Sequence, residues 1–334
     1  MRVALLGAGR IGALHARILN EHPDVESLVV GDVDDARAEE LAAQLGGRAG
    51  SLDEVLEGGV SAAVITAATS AHADLIHSCL DAGLPTFCEK PVADTLERTL
   101  EVVERVEREH ATVQIGFQRR FDAAHRAARE LVESGRLGTL FSLRLATHDP
   151  DPPHEDYIAS SGGIFRDLHI HDFDSLRWLT GSEPAEVFAL GDVREYEVFA
   201  RHGDFDTTAA VLRMESGALA VLTGARRDPL GYDVRVELFG SEDSVAVGLD
   251  RGTPLRPLEP SAEGLIPGPH HRHFTERFEA AYRSELAHFL ELARGRAANP
   301  CGVRDALESM RVAIAADRSA AEGRPVSPKE VETA

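Results

Sequence analysis

VALLGAGRIGALHA, Val3–Ala16, is the stretch on which the fold turns. A short apolar run leads into Gly7-x-Gly9-x-x-Gly12 and then into a helical pattern. Gly7 permits the tight turn, Gly9 lets the backbone approach a pyrophosphate, and Gly12 allows close helix packing. The helix start then offers N–H groups and positive dipole charge to phosphates. Asp32 ends the next apolar run, SLVVGD, 20 residues after Gly12. A carboxylate there is placed for an adenosine ribose 2′-hydroxyl and repels a 2′-phosphate, so NAD is favoured over NADP. Arg37 lies nearby, inside a helical stretch, and carries little weight. A ligand-free glycine turn, a flavin site and a nucleotide-only sensor are the other readings of the motif.

Outward from this loop, SAAVITAA (61–68), PTFCEK (85–90) and TVQIGF (112–117) read as further buried strands. DARAEELAAQLG and TLERTLEVVERVERE between them read as helices. The βαβ alternation predicts a parallel sheet covered on both faces. After GFQRRFD the pattern changes. Helices are expected over about 123–134, from GGIFRD to near Thr180, and at about 275–294 and 303–321. LFSLRLATH, AEVFALGDV, TTAAVLRM, ALAVLTGAR, DVRVELFG and SVAVGL predict one large, mostly antiparallel sheet. A Pro-rich loop, 252–269, precedes the last helices, and about the last dozen residues read as a loose tail. The fold class is therefore α/β. A dinucleotide-binding domain is expected over 1–121 and a substrate and oligomerisation domain over 122–334.

The 334 residues suffice for about two cores. A net charge of −21 (35 minus 56) argues against nucleic acid or anionic membrane as partners. Cys79, Cys88 and Cys301 lack CxxC spacing and read as reduced core thiols. The N-terminal apolar run is too short for a signal peptide, and no stretch approaches a membrane span, so the cytoplasm is expected.

Lys90 and Lys329 are the only lysines among 35 basic residues. Lys90 stands in FCEKPVA, beyond the fifth strand, where open parallel sheets place ligands. Pro91 holds Lys90 extended and makes a cis bond accessible. An ammonium can stabilise the oxyanion that develops as a secondary alcohol is oxidised, and it can relay a proton that a guanidinium cannot. A surface pair with Glu89 is the plainer reading. In SSGGIFRDLHIHDFDSLRWLTG, Asp167 and His171 share one face if the stretch is helical. His171 suits general base work and Asp167 can bind substrate or orient the base. Asp172 and Asp174 read as capping or solvated residues, and each histidine can be structural. A metal set of His154, His169, His171 and Asp172 is the rival, with diverging side chains against it. His270, His271 and His273 read as an exposed loop.

Together the glycine loop, Thr69-x-x-His72, AGLPTFCEKP, GFQRRFD and GGIFRDLHIHDFD resemble the Gfo/Idh/MocA oxidoreductases, most closely their inositol 2-dehydrogenases. The resemblance spans nearly the whole chain. It implies a Rossmann domain, then an α/β domain whose open, mostly antiparallel sheet joins homodimers or homotetramers. It implies NAD contacts at Gly7, Gly9, Arg10, Ile11, Gly12, Asp32, Ala67, Ala68, Thr69, His72, Glu89, Lys90 and Gln118. It also implies a catalytic set of Lys90, Asp167 and His171, with His171 as proton acceptor. Substrate contacts would add Arg119, His148, Asp149, Tyr232 and Tyr282, although a surface ion pair for Arg119, a core place for Tyr282 and a turn for Tyr232 are the plainer readings. Gln118, Phe121 and Ala67-Ala68 stand where the pattern has methionine, tyrosine and Thr-Pro. The expected activity is NAD-dependent oxidation of an inositol-like polyol. A sugar or sugar-acid dehydrogenase, a non-catalytic dinucleotide sensor and a metal-dependent hydrolase are the alternatives.

Overall fold

Strand β1 (Arg2–Leu6) pairs with a parallel neighbour along each edge, and its apolar residues are buried on both faces of the sheet. With β2 (Ser27–Gly31), β3 (Arg48–Ala49), β4 (Ala62–Ile65), β5 (Thr86–Glu89) and β6 (Val113–Gly116) it forms a parallel sheet of order β3-β2-β1-β4-β5-β6. The order reverses between β1 and β4, which is where such sheets open a crevice at their carboxyl ends. The structure describes residues 1–57, 59–256, 258 and 269–333 of this computed structural model.

Local chemistry sets the helices between these strands. Asp34 caps the helix Asp35–Leu45 and Thr95 caps Leu96–Glu109 through their side-chain oxygens. The second of these buries Leu96, Thr99, Val102, Val103 and Val106, one stripe at helical spacing.

The first unit comprises Met1–Phe121 and Ala280–Glu308, and the second Asp122–Glu279 and Ser309–Ala334. The expected unbroken second domain from 122 to 334 is therefore interrupted. Residues 280–308 fold with the first unit because their apolar side chains belong to its core. Tyr282, Leu286, Phe289 and Leu290 are buried, and the Phe289 ring packs 5.8 Å from Phe87. Ile115 donates to the Cys301 carbonyl at 2.9 Å, and Asn299 donates to the Val113 carbonyl at 2.7 Å. This return segment satisfies the outer edge of β6, which would otherwise stay open.

The second unit is built on β7 (Leu140–His148), β8 (Pro184–Asp192), β9 (Thr207–Met214), β10 (Leu219–Ala225), β11 (Asp233–Gly240) and β12 (Ser244–Val247). Their order is β12-β11-β7-β10-β9-β8. Every pair is antiparallel except β7 and β10, which run parallel. In β9 burial alternates residue by residue, so one face of the sheet is covered. The helix Ile170–Thr180 is tied to that covered face by Asp172, as described below. The other face carries exposed Leu190, Val211, Leu219 and Val221.

The expected loose tail is ordered. Val326 bridges Val187, and Val331 is fully buried within the turn Pro328–Thr333. Of the expected Pro-rich loop, residues 257 and 259–268 lie outside the described residues.

Candidate active site

In the first unit the glycine loop closes against the end of β4. Gly7 has φ +111°, and a Cβ there would stand 2.4 Å from the Ala67 nitrogen. A Cβ on Gly12 would meet the Gly7 carbonyl oxygen at 2.0 Å. Gly9 differs from both. It caps the helix Arg10–Asn20 without any side-chain bond, and a Cβ built on it meets nothing within 4 Å. The helix start is thus an open cradle, which fits a dinucleotide pyrophosphate. Arg10 is exposed and Ile11 half-buried at its rim.

Asp32 follows β2. One of its oxygens accepts from the Ala8 N–H at 2.6 Å and the other from the Asp34 N–H at 3.0 Å. Its carboxylate therefore braces the glycine loop. Arg37 is not remote from it: the guanidinium lies 3.6 Å from Asp32 Oδ1, in the first turn of its helix.

Ala67, Ala68 and Thr69 lead from β4 into the helix Thr69–Asp81, with Ala68 exposed. His72 is buried, with Nδ1 2.7 Å from the Pro91 carbonyl oxygen and Nε2 3.0 Å from that of Ala67. It ties the loop after β4 to the loop after β5. Burial, the largest influence, holds its pKa below the ordinary histidine value against the pull of the two carbonyls. The neutral ring can donate to only one of them.

Beyond β5, the Lys90–Pro91 bond is cis and Lys90 is half-buried. Glu89 holds His15 Nε2 at 2.8 Å and accepts from the Lys90 N–H at 3.3 Å. Gln118 and Arg119 are buried in the turn Gln118–Phe121, so the surface reading of Arg119 is excluded. Tyr282 is a core residue of this unit, its ring 5.5 Å from that of His15.

In the second unit Gly162 and Gly163, at φ +80° and +90°, turn the chain into the short helix Ile164–Asp167. The expected continuous helix through Asp167 and His171 does not form. The helix stops at Asp167 and a new one begins at Ile170, because the His169 N–H reaches back five residues to the Ile164 carbonyl at 3.0 Å. This widened turn buries His169, whose Nδ1 lies 2.7 Å from Asp172 and whose Nε2 lies 2.7 Å from the Thr208 hydroxyl. Asp172 also accepts from Thr147 at 2.7 Å. The helix is thereby bonded to β7 and β9. Asp172 and Asp174 are fully buried, not solvated. The rival metal set is not assembled, since His169 and Asp172 spend their polar atoms on these partners. His154 sits exposed at a helix start, 3.3 Å from Asp156.

Asp167 is held from two sides. Its Oδ1 accepts from the Tyr157 hydroxyl at 2.7 Å, and its Oδ2 accepts from Arg226 Nη1 at 2.9 Å. The same Nη1 reaches Asp149 Oδ2 at 3.2 Å. Burial works against the Arg226 charge, but Asp167, Asp149 and Asp204 outweigh it and raise its pKa further. The Asp167 charge, burial and the shared hydrogen bond keep the Tyr157 hydroxyl well above the usual tyrosine value. Sequence reading missed Arg226 and Tyr157. The residue types carry no motif, and Arg226 is 59 positions from its partner. His171 is half-buried.

His148 ends β7 with Nδ1 3.6 Å from Asp233 and 3.8 Å from Asp228. Among the described residues this is the one trio with metal-ligand proximity, but Arg235 already grips Asp233 at 2.8 Å. Tyr232 is no free turn residue. It is buried, edge-on to Phe274 and Phe278 at 6.5 and 6.4 Å. His271 lies 3.7 Å from Asp250, and His273 precedes the short helix Phe274–Arg277.

A family model described as an oxidoreductase family with an NAD-binding Rossmann fold matches residues 1–117, and one for the GFO/IDH/MocA C-terminal domain matches residues 125–246. The chain is 40% identical over 333 residues to the myo-inositol dehydrogenase Hyg17 of Streptomyces leeuwenhoekii, covering 98% of this chain and 100% of that protein. It is 36% identical over 329 residues to the inositol 2-dehydrogenase of Rhizobium meliloti, covering 98% and 99%. Its structure is similar to that of a scyllo-inositol dehydrogenase from Lactobacillus casei with bound NAD(H) and scyllo-inositol, with TM-score 0.87 at 27% identity, covering 98% and 99%. With both halves matched in order, and relatives aligned from end to end, the chain belongs to the Gfo/Idh/MocA family of NAD-binding oxidoreductases.

Proposed function

We propose that this protein oxidises a secondary alcohol of an inositol-like cyclic polyol to the ketone. The observation that carries the reading is its end-to-end similarity to inositol dehydrogenases. NAD, when bound, supplies the two-electron acceptor for the hydride of the carbinol carbon. Gly9 and the following helix start would take its pyrophosphate, and Asp32 its adenosine ribose.

The chain's own residues then handle the proton and the charge. The imidazole of His171 takes the hydroxyl proton as the C–H bond breaks. The ammonium of Lys90 steadies the negative charge that develops on the same oxygen, which stays as the oxygen of the ketone. Asp167, with both carboxylate oxygens already anchored, accepts a hydrogen bond from a substrate hydroxyl and orients the ring. Arg119, His148, Asp149, Tyr232 and Tyr282 are assigned lesser parts in lining or supporting the substrate site. His72 and Glu89 act on the cofactor side by fixing the loops that carry Ala67 and Lys90. The remaining cofactor positions, Arg10, Ile11, Gly12, Ala68, Thr69 and Gln118, complete that side.

Two further parts of the reading concern the whole chain. A second copy pairs through the outward sheet face, supported by the exposed apolar residues there. The cytoplasm is the working location, supported by three buried cysteines that form no disulfide. No helix among the described residues is long and apolar enough to cross a membrane.

The test is NADH formation with myo-inositol, scyllo-inositol, glucose and other sugars. Turnover of a cyclic polyol is expected. Lys90→Ala should lower it by roughly a hundredfold or more while NAD still binds. No turnover of any polyol or sugar by a protein that binds NAD would overturn the reading.

A further inference from the structure

Arg226 lies directly after β10, in the interior of the second unit, with its N–H on the Asp206 carbonyl at 2.8 Å. A buried guanidinium is costly unless acids surround it. Here two carboxylates, Asp149 and Asp167, share one of its nitrogens at 3.2 and 2.9 Å. Asp204 faces the same guanidinium, and one Asp204 oxygen accepts from the Ile164 N–H at 2.9 Å. Arg166, next to Asp167 in sequence, turns instead to Asp317 at 2.7 Å. Four acids therefore crowd two arginines, and Arg226 touches Asp167. From the other side Tyr157, on the helix Glu155–Ser160, donates to Asp167 at 2.7 Å.

A carboxylate has about four lone-pair directions. Tyr157 and Arg226 each occupy only one, on different oxygens of Asp167. A carboxylate gripped in this way is a fixed acceptor. To serve as a proton shuttle it would have to give up its ion pair.

We propose that Arg226 and Tyr157 are positioning residues that hold Asp167 as a charged, oriented acceptor for a substrate hydroxyl, leaving proton removal to another group. The inference rests on the reading of Asp167 as a substrate-facing residue.

The experiment compares wild type, Arg226→Gln, Arg226→Lys and Tyr157→Phe, each as the full chain. The readouts are kcat and KM for the polyol across pH, and NAD affinity by fluorescence. Arg226→Gln takes a shared positive charge away from Asp149 and Asp167, so they retain a proton to higher pH. Its kcat/KM should fall roughly 10- to 100-fold at neutral pH. The low-pH fall of kcat/KM should move about one pH unit or more upward. Arg226→Lys should move that limb back toward wild type, because it keeps the charge. Tyr157→Phe should show a smaller upward move with a raised KM. NAD affinity should be unchanged in all three.

The proposal is overturned if Arg226→Gln loses activity equally at every pH in step with loss of folded protein, or if its profile matches wild type. Should Arg226→Gln fail to fold, Tyr157→Phe decides, and an unmoved profile and KM overturn the proposal. Should wild type turn over no polyol, the functional reading falls separately. The residue claim is then read from the ¹³C-carboxyl titration of Asp167, assigned with Asp167→Asn. An upward move of that titration in Tyr157→Phe supports the claim, and an unmoved one overturns it.

Discussion

Gly9 and Gly12 are three residues apart and do opposite things. A side chain at Gly12 would collide with the Gly7 backbone, whereas one at Gly9 would project into open space. Gly12→Ala should therefore destabilise the unliganded protein, by about 1–3 kcal/mol, because backbone must shift to admit the methyl group. Gly9→Ala should leave the unliganded Tm unchanged and weaken NAD binding, since its methyl group occupies ground the pyrophosphate needs. Thermal unfolding with and without NAD separates the two. A Gly9→Ala protein that binds NAD as wild type does would remove the cradle from Gly9. The fold also explains why part of the motif was readable in sequence: Gly7 and Gly12 answer steric demands that no other residue meets. The place of Asp32 just beyond β2 was legible by its fixed distance along the chain. Its bracing of the Ala8 N–H at 2.6 Å was not, because that depends on how the loop folds back.

At the level of elements, helix starts and strands were legible and the joins between them were not. The strands of both sheets follow from apolar runs and alternation, apart from the two-residue edge strand β3, which has no apolar run to mark it, and helix ends fall close to expectation. The Asp167–His171 stretch failed because a five-residue hydrogen bond interrupts the helix, and its cause lies elsewhere in the chain, in Asp172 bonding Thr147 and His169 bonding Thr208. Asp172 and Asp174 looked like surface acids because sequence does not reveal which face of a short helix is covered.

Asp122 illustrates what such joins contribute. It caps the helix Ala123–Glu133, bonds His125 Nδ1 at 2.7 Å and meets Arg277 at 3.1 Å. Burial pushes its carboxyl up, but the bond to His125 and the charges of His125 and Arg277 outweigh burial and hold it well below the usual range. A depressed carboxylate adds stability above its unfolded pKa and loses it as pH falls toward the folded value. The Tm gap between wild type and Asp122→Asn should therefore be full near pH 7, at a cost of about 1 kcal/mol or more for the cap and pairs. It should narrow as pH drops below about 4. A gap that stays constant down to low pH would show that the carboxylate charge is not what matters.

For the whole molecule, the outward face of the second sheet is the feature that an isolated chain leaves unexplained. Val211 and Val221 stand opposite each other in the β9–β10 ladder, 48% and 42% exposed. Paired glutamates there should barely disturb the fold of one chain, because both side chains already point to water. If copies meet on this face, Val211→Glu with Val221→Glu should reduce the solution mass by light scattering to that of one chain, 36.0 kDa. An unchanged larger assembly would locate the interface elsewhere. A second whole-molecule feature is the return of residues 280–308 to the first unit. While the ribosome is still making the second unit, the nascent first sheet has neither Phe289 to cover Phe87 nor Asn299 to close its edge strand. It must wait, exposed and within reach of chaperones, until nearly the entire polypeptide has emerged, so the half that is translated first cannot be the half that is finished first.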